Sequence, residues 1–393
     1  MTGPFLPDLL LSILSSWFLY FSIKNKIYFL YKNPFFLIFI IFWLVCILSS
    51  LLSENIFLSL KSSLFFIRIG IFAILISYLI NQSTKILNYF YLAFIITFLF
   101  LIIDGYFQYY FGTNLLGYKK IGIRVSSFFG DELILGSYLV RLLPLFVGLF
   151  IIKQNKKNWE YYIFSLFVIL VSILVFLSGE RVSLFFLLLY WFFIIFFIRN
   201  FKLIFVVIFF IFFSLFILLN YSNPAFKMRF INETLEKIDF KSENKFFFTP
   251  EHNSLFYSGW NMFLDKPILG HGPKLFRIKC SVYNTTEEKY CDSHPHNFYI
   301  QLLAEVGIVG FSFLLGLFFY FIYLCVRHIF EYFKSKYFFL NDFQICLLGG
   351  LLITIWPFSP NGNIFNNYLM MFYGLQMGFL SKKIKPTYQI VKN

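Results

Sequence analysis

Residues 182–219 read VSLFFLLLYWFFIIFFIRNFKLIFVVIFFIFFSLFILL, two apolar runs between which the only charges are Arg199 and Lys202. A helix needs about 20 apolar residues to cross a bilayer core of about 30 Å. Each run comes close to that length and is apolar on every side instead of along one face. The stretch therefore predicts two consecutive membrane-spanning helices joined by a short basic turn.

The same pattern recurs along the 393 residues of the chain, of which 59% are hydrophobic and 13% charged. Soluble domains carry about 25% charged residues, so the composition excludes a soluble domain. The runs are too continuous for outer-membrane strands, which alternate over about 10 residues. We predict an all-α polytopic membrane protein with about eleven transmembrane helices, within a range of about 10–12. The apolar runs lie at 5–23, 34–52, 63–80, 88–104, 133–152, 161–178, 182–198, 201–219, 298–326, 343–358 and 364–380.

The basic residues of the short loops predict the orientation, because cytoplasmic loops retain Lys and Arg. The first loop holds Lys24, Lys26 and Lys32, and alternate loops after it are also basic, which places the N-terminus outside and the C-terminus inside. The net charge of +14 follows this topology and does not indicate nucleic-acid binding. Three regions follow: helices 1–8 over 1–219, one large extracytoplasmic loop over 220–297, and helices 9–11 with a cytoplasmic tail over 298–393.

Two of the five cysteines, Cys280 and Cys291, lie in the predicted outer loop. An oxidising exterior permits a disulfide, so we expect a bridge that closes the loop just before His294 and His296; two unpaired thiols are the alternative. A zinc site from these four residues is formally available, but intervals of ten, two and one intervening residues fit no standard finger. We expect no metal.

Arg68, Arg141 and Arg181 lie within or at the end of apolar runs, where each charge costs about 2.5 to 3.5 kcal/mol. With the orientation above, all three lie toward the outer side. Planar guanidinium groups bind phosphate oxygens bidentately, so we interpret them as candidate ligands of a lipid-linked diphosphate. Snorkelling to the interface, or pairing with a local carboxylate such as Glu180, is the alternative.

One motif is specific in both residue type and spacing. Residues 293–311 read SHPHNFYIQLLAEVGIVGF, in which nine residues separate Asn297 from Gly307 and two more precede Gly310. This pattern resembles the signature of the O-antigen ligase and O-antigen polymerase superfamily, integral membrane glycosyltransferases that take a glycan from a polyprenyl diphosphate outside the cytoplasmic membrane. Weaker resemblances cover SGWNMFLDKPILGHGPKLF at 258–276 and WPFSPNGNIFNN at 356–367. The family usually has both ends in the cytoplasm, so one further helix would reconcile the two topologies.

The resemblance implies that His296 is the catalytic base, with His294 as the rival, Asn297 in support and no cofactor. An imidazole titrates near neutral pH and could take the proton from an acceptor hydroxyl as that oxygen attacks the anomeric carbon. A single displacement of this kind inverts the anomeric centre. Judged without the resemblance, His296 could equally be an interfacial histidine bonded to nearby backbone.

Three further residues of the motif are candidates for support. Glu305 lies nine residues after His296, which is half a turn away around the helix and about 13 Å along it. We therefore expect it to pair with an intramembrane arginine or to fill a polar gap between helices. Gly307 and Gly310 would let a neighbouring helix or a lipid chain approach closely.

The sequence thus predicts a metal-independent inverting glycosyltransferase in the bacterial inner membrane, with its site facing the periplasm. The expected partners are a polyprenyl diphosphate-linked glycan, lipid A core or another glycan acceptor, and membrane lipid; nucleic acid is not expected. The first reading is a ligase, and a polymerase of the same superfamily is the alternative. A lipid or solute transporter is the alternative from another class, although the chain shows no repeated halves of the kind many transporters have.

Overall fold

A computed structural model of the chain describes residues 5–154, 156–237, 249–286, 289–335 and 338–381. Within these ranges the regular structure is helical, apart from isolated β-bridges that join Thr113 to Lys119 and Ile121 to Arg124. The predicted cytoplasmic tail beyond Ser381 lies outside the described residues.

Helices occupy every apolar run that the sequence marks. The first eight are α1 (Phe5–Lys24), α2 (Pro34–Leu51), α3 (Ile56–Gln82), α4 (Thr84–Phe111), α5 (Leu135–Ile152), α6 (Asn158–Leu177), α7 (Arg181–Phe197) and α8 (Lys202–Ser222). Four shorter helices follow, α9 (Pro224–Lys227), α10 (Glu233–Lys237), α11 (Pro250–Asp265) and α12 (Phe276–Tyr283). The last three are α13 (Phe298–Ser335), α14 (Asp342–Ile355) and α15 (Asn367–Leu380).

Eight of the described helices are long and apolar enough to cross a membrane, namely α1 to α6, α8 and α13. The chain is therefore a multi-pass membrane protein. The remaining apolar runs form α7, α14 and α15, which are shorter than a full crossing requires. A total of eleven crossings stays a prediction.

Helix boundaries follow local chemistry. Asn33 accepts a hydrogen bond from the Phe35 amide and caps α2. Asn341 and Gln344 form a reciprocal capping box at the start of α14. Gly112 ends α4 with φ of +82°, a left-handed conformation that glycine adopts without a Cβ clash.

Helices α5 and α14 form the centre of the bundle. Every residue from Leu139 to Phe150 in α5 is buried, and α5 packs against α14, α6, α4 and α7. Small residues on α14 permit this closeness: a Cβ on Gly350 would lie 2.9 Å from the Pro144 side chain, and one on Gly349 would lie 2.8 Å from the Tyr190 ring. Close packing at small residues is a main source of helix association in lipid, where burial of apolar surface supplies little.

The segment between α8 and α13 is mostly helical in its described parts. Helix α11 packs along the first turns of α13, and α12 packs against both. Cys280 and Cys291 are joined by a disulfide, with their Cα atoms 5.8 Å apart. A small separate core lies beneath this bridge, made of Leu255, Met262, Phe276, Cys280 and Ala304.

Candidate active site

His296 lies in a turn that ends at the first residue of α13. Its backbone has φ of +54°, a conformation that costs a non-glycine residue about 1–3 kcal/mol and persists only where the surroundings impose it. The Asn361 amide donates to the His296 carbonyl at 2.6 Å. Asn297 then caps α13 through bonds from the Tyr299 and Ile300 amides and donates to the Pro357 carbonyl at 2.8 Å. The backbone at the histidine is thus fixed from two directions.

Three further polar side chains surround the His296 ring. The Asp292 carboxylate lies 2.8 Å from its Nε2 atom. The His294 ring centre lies 4.1 Å from that of His296, and the His252 ring, from α11, lies at 5.6 Å. Burial, together with the neighbouring His296, lowers the pKa of His294 to about 4, which leaves this ring neutral at pH 7. The two neighbouring histidines therefore differ in their hydrogen bonding: His296 is paired with a carboxylate and His294 is not.

Both histidines open onto one large cavity of about 1570 Å³. Apolar side chains of α1, α4 and α15 form much of its wall, among them Phe5, Phe100 and Phe372. Its acidic, basic and histidine side chains are Asp8, Glu132, Arg141, Glu180, Lys274, Arg277, His294 and His296. The cavity therefore combines an apolar lining with a cluster of cations beside the candidate base.

Arg141 is the arginine of the three predicted ones that lines this cavity. It is 4% exposed, its guanidinium donates to the Ser137 carbonyl at 3.0 Å, and it reaches the Asn361 side chain at 3.5 Å. No carboxylate forms an ion pair with it among the residues that the structure describes, and its buried Nε has no partner there. A buried guanidinium that is charged and incompletely hydrogen-bonded is a strong candidate to bind an anionic ligand.

Arg68 and Arg181 lie outside the cavity wall and are paired with carboxylates. Arg68 binds Asp8 of α1 at 2.6 Å and donates to Ser12. Arg181 lies 3.6 Å from Glu233 of α10. Both arginines are thus paired with a carboxylate, which was the alternative to diphosphate binding. The partners are Asp8 and Glu233, not Glu180.

Two other cations, which the sequence reasoning missed, occupy the wall beside the histidines. Lys274 and Arg277 stand at the start of α12 and line the cavity. Lys274 has φ of +64°, and burial lowers its pKa, with a further contribution from Arg277. Both lie outside the apolar runs, and the signal available in the sequence was this pair of cations shortly after Gly270 and Gly272.

Residues 166–315 match the family model described as O-antigen ligase. This match supports membership of the O-antigen ligase superfamily, which the motif around His296 also resembles. Enzymes of this superfamily are membrane glycosyltransferases of the ligase or polymerase type. The matched range includes Lys274, Arg277 and His296, whereas Arg141 precedes it. No curated protein matches the chain significantly.

The two motif glycines, Gly307 and Gly310, have different surroundings. Gly307 has φ of +68° and breaks α13 into two helical parts. A Cβ there would lie 2.3 Å from the Ile268 carbonyl oxygen, so the neighbour that approaches is the backbone of the outer segment. A Cβ on Gly310 would meet Val306 of the preceding turn. The close neighbour at each site is thus protein, and at Gly307 it is a loop and not a helix.

Glu305 is fully buried. Its carboxylate accepts from the Phe276 amide at 3.0 Å, at the first residue of α12, and from the Gln301 side chain at 2.9 Å. Among the described residues it forms no ion pair. Glu305 therefore fills a polar gap between α13 and α12, the second of the two roles expected for it.

The side chains of Asp292, His294 and His296 could hold a metal ion, since their ligand atoms lie within 4.8 Å of one another. Two of these atoms already form a hydrogen bond at 2.8 Å, however, and a metal would have to replace it. The zinc ligand set considered from the sequence is not available here, because Cys280 and Cys291 are bonded to each other.

Proposed function

We propose that this chain is a glycosyltransferase that transfers a glycan from a polyprenyl diphosphate to an acceptor sugar on the periplasmic side of the inner membrane. The observation that supports it most is the cavity, whose wall brings His296 together with Arg141, Lys274 and Arg277. The apolar part of the wall includes exposed side chains of α4 such as Phe100. Such a wall suits a donor that is carried by a lipid.

The three cavity cations are the proposed diphosphate ligands. Arg141 and Arg277 present guanidinium forks, which match phosphate oxygens bidentately. Lys274 supplies a compact charge whose burial favours a nearby anion as partner. Arg68 and Arg181, by contrast, are already paired with Asp8 and Glu233 and do not line the cavity.

His296 is the proposed general base. It accepts the proton of the acceptor hydroxyl while that oxygen bonds to the anomeric carbon. The bond from this carbon to the diphosphate breaks, the electron pair leaves with the diphosphate, and the anomeric centre inverts. General base catalysis supplies about 10² to 10⁴ in rate, and stabilisation of the departing diphosphate by preorganised cations adds a further part.

The experiment uses purified protein in lipid nanodiscs, a polyprenyl diphosphate-linked glycan as donor, and lipid A core as acceptor, with EDTA present. We expect transfer by wild type, a loss of at least about 10²-fold with His296→Ala, and a large loss with Arg277→Ala. Arg327→Ala is the matched control, because Arg327 is exposed and pairs with Glu331 at the far end of α13.

Each outcome separates the alternatives. Transfer to lipid A core supports the ligase, whereas lengthening of the lipid-linked glycan without that acceptor supports the polymerase. Full activity of His296→Ala would contradict the assignment of the base. Wild-type protein that turns over no donor with either acceptor would contradict the transferase.

A further inference from the structure

We propose that Asp292 is a positioning residue that holds the His296 ring with its proton on Nε2, so that Nδ1 is the atom that takes the proton from the acceptor. This inference rests on the proposed function of His296 as base. It assigns a role to a residue outside the sequence motif, four positions before the histidine.

The hydrogen bond between the two side chains determines the tautomer. The Asp292 carboxylate lies 2.8 Å from Nε2 of His296. An ionised carboxylate can only accept hydrogen bonds, so Nε2 must carry the hydrogen. Neutral imidazole has one N–H and one lone pair, which leaves the lone pair on Nδ1. No other hydrogen bond of this ring occurs among the described residues.

Asp292 is ionised in this setting. Burial raises the pKa of Asp292, but the hydrogen bonds from His296 and the Ser293 amide outweigh burial and hold it below its usual range. Its side chain is 35% exposed, so water can reach the carboxylate. The carboxylate is therefore an acceptor at any pH at which the base could work.

Both members of the pair are fixed independently of each other. Asp292 directly follows Cys291, whose disulfide ties it to α12. His296 is held by the backbone bond from Asn361 and precedes the cap of α13. With both backbones fixed, rotation of the imidazole is the remaining freedom, and the carboxylate selects one orientation.

The other charged and titratable groups near the ring do not compete for this role. His294 lies against it but is neutral at pH 7, and His252 faces it from α11 at 5.6 Å between ring centres. Arg277 lines the cavity on the α12 side. Asp292 is the one carboxylate within ion-pair distance of His296 in the described part of the chain. As Nδ1 gains a proton, the ring becomes cationic, and this carboxylate stabilises the charge without itself taking the proton.

The decisive variant is Asp292→Asn, measured in the transfer assay across pH. An asparagine can donate to Nε2 and thereby favour hydrogen on Nδ1, the wrong tautomer for the proposed base. We expect kcat to fall by up to about 10⁴, the loss that follows when the orienting aspartate of a Ser-His-Asp triad becomes asparagine, with the donor KM nearly unchanged. Asp292→Glu should restore part of kcat.

Asp265→Asn is the matched control, because Asp265 lies on the same outer segment and bonds Tyr283 and not His296. A wild-type kcat in folded Asp292→Asn would overturn the proposal while leaving the transferase intact. If instead His296→Ala were fully active, the proposed function itself would fail. Should Asp292→Asn not fold, ¹⁵N NMR of histidine-labelled wild type, assigned with His296→Gln, decides the matter. A protonated Nε2 supports the proposal, and a protonated Nδ1 overturns it.

Discussion

At the scale of single residues, Gly307 is the point where the outer segment meets α13. Its φ of +68° and the 2.3 Å approach of the Ile268 carbonyl to a Cβ leave no room for a side chain. We expect Gly307→Ala to destabilise the protein by about 2–4 kcal/mol, from left-handed strain and overpacking, and to reduce transfer. Thermal unfolding in detergent and the transfer assay provide the measurement.

Gly316 offers a control on the same helix. No atom lies within 4 Å of a Cβ placed there. Alanine at this position should leave activity unchanged and stability equal or up to about 1 kcal/mol higher, since alanine is the better helix former. Equal unfolding temperatures for Gly307→Ala and Gly316→Ala would contradict the role given to Gly307.

The sequence could predict some of these residues and not others. The spacing from His296 to Gly307 can be read directly from the sequence, and the family resemblance based on it implied His296 as the base. The partner Asp292 was not predicted, because its contact depends on a left-handed turn at His296 that no periodic pattern encodes. The ion pair between Arg68 and Asp8 was missed for another reason: it joins residues on two different helices, and sequence alone does not say which helices are neighbours.

At the scale of elements, the disulfide holds the outer segment against α13. It closes a loop with a sequence separation of 11 between Cys280 and Cys291, and such a bridge stabilises a fold by about 3 kcal/mol. We expect Cys280→Ser with Cys291→Ser to lower the unfolding temperature and to reduce kcat, because Asp292 and His296 lose their anchor. Reductant should reproduce both effects on wild type.

Cys325→Ser is the control for this prediction, since Cys325 is a free thiol on α13 away from the cavity. It should match wild type with and without reductant. An unchanged kcat in the double serine variant would show that the bonds from Asn361 and Asn297 alone position the histidine.

The helices themselves were predictable to a greater extent than their lengths or contacts. Long apolar runs such as 201–219 indicate helix by the absence of charge alone. The outer helices α11 and α12 were not delimited, because they are short and mix charged with apolar residues. The sequence also did not predict how short α14 is, because the apolar run at 343–358 continues past the helix end at Ile355. The residues that follow belong to the loop whose Asn361 amide bonds the His296 carbonyl.

For the molecule as a whole, the side of the membrane that the cavity faces can be tested. The start of α1 and the turn at His296 line the same cavity, so both lie on one face of the bundle. The basic loops predict that this face is outside. We expect a membrane-impermeant maleimide to label Thr285→Cys in intact spheroplasts, and to label Ser335→Cys only after the membrane is permeabilised. Labelling in the opposite order would place the cavity in the cytoplasm.

The composition of the cavity wall also limits which part of this protein could be exchanged with that of a relative. The range matched to the family, 166–315, carries the histidines, Lys274 and Arg277, but Asp8, Arg141 and Asn361 lie outside it. A chimera that exchanged this range alone would import the proposed base with only part of the cavity wall. The unit on which substrate preference can be transplanted is therefore larger than the recognisable domain, and it extends from the first helix to the last.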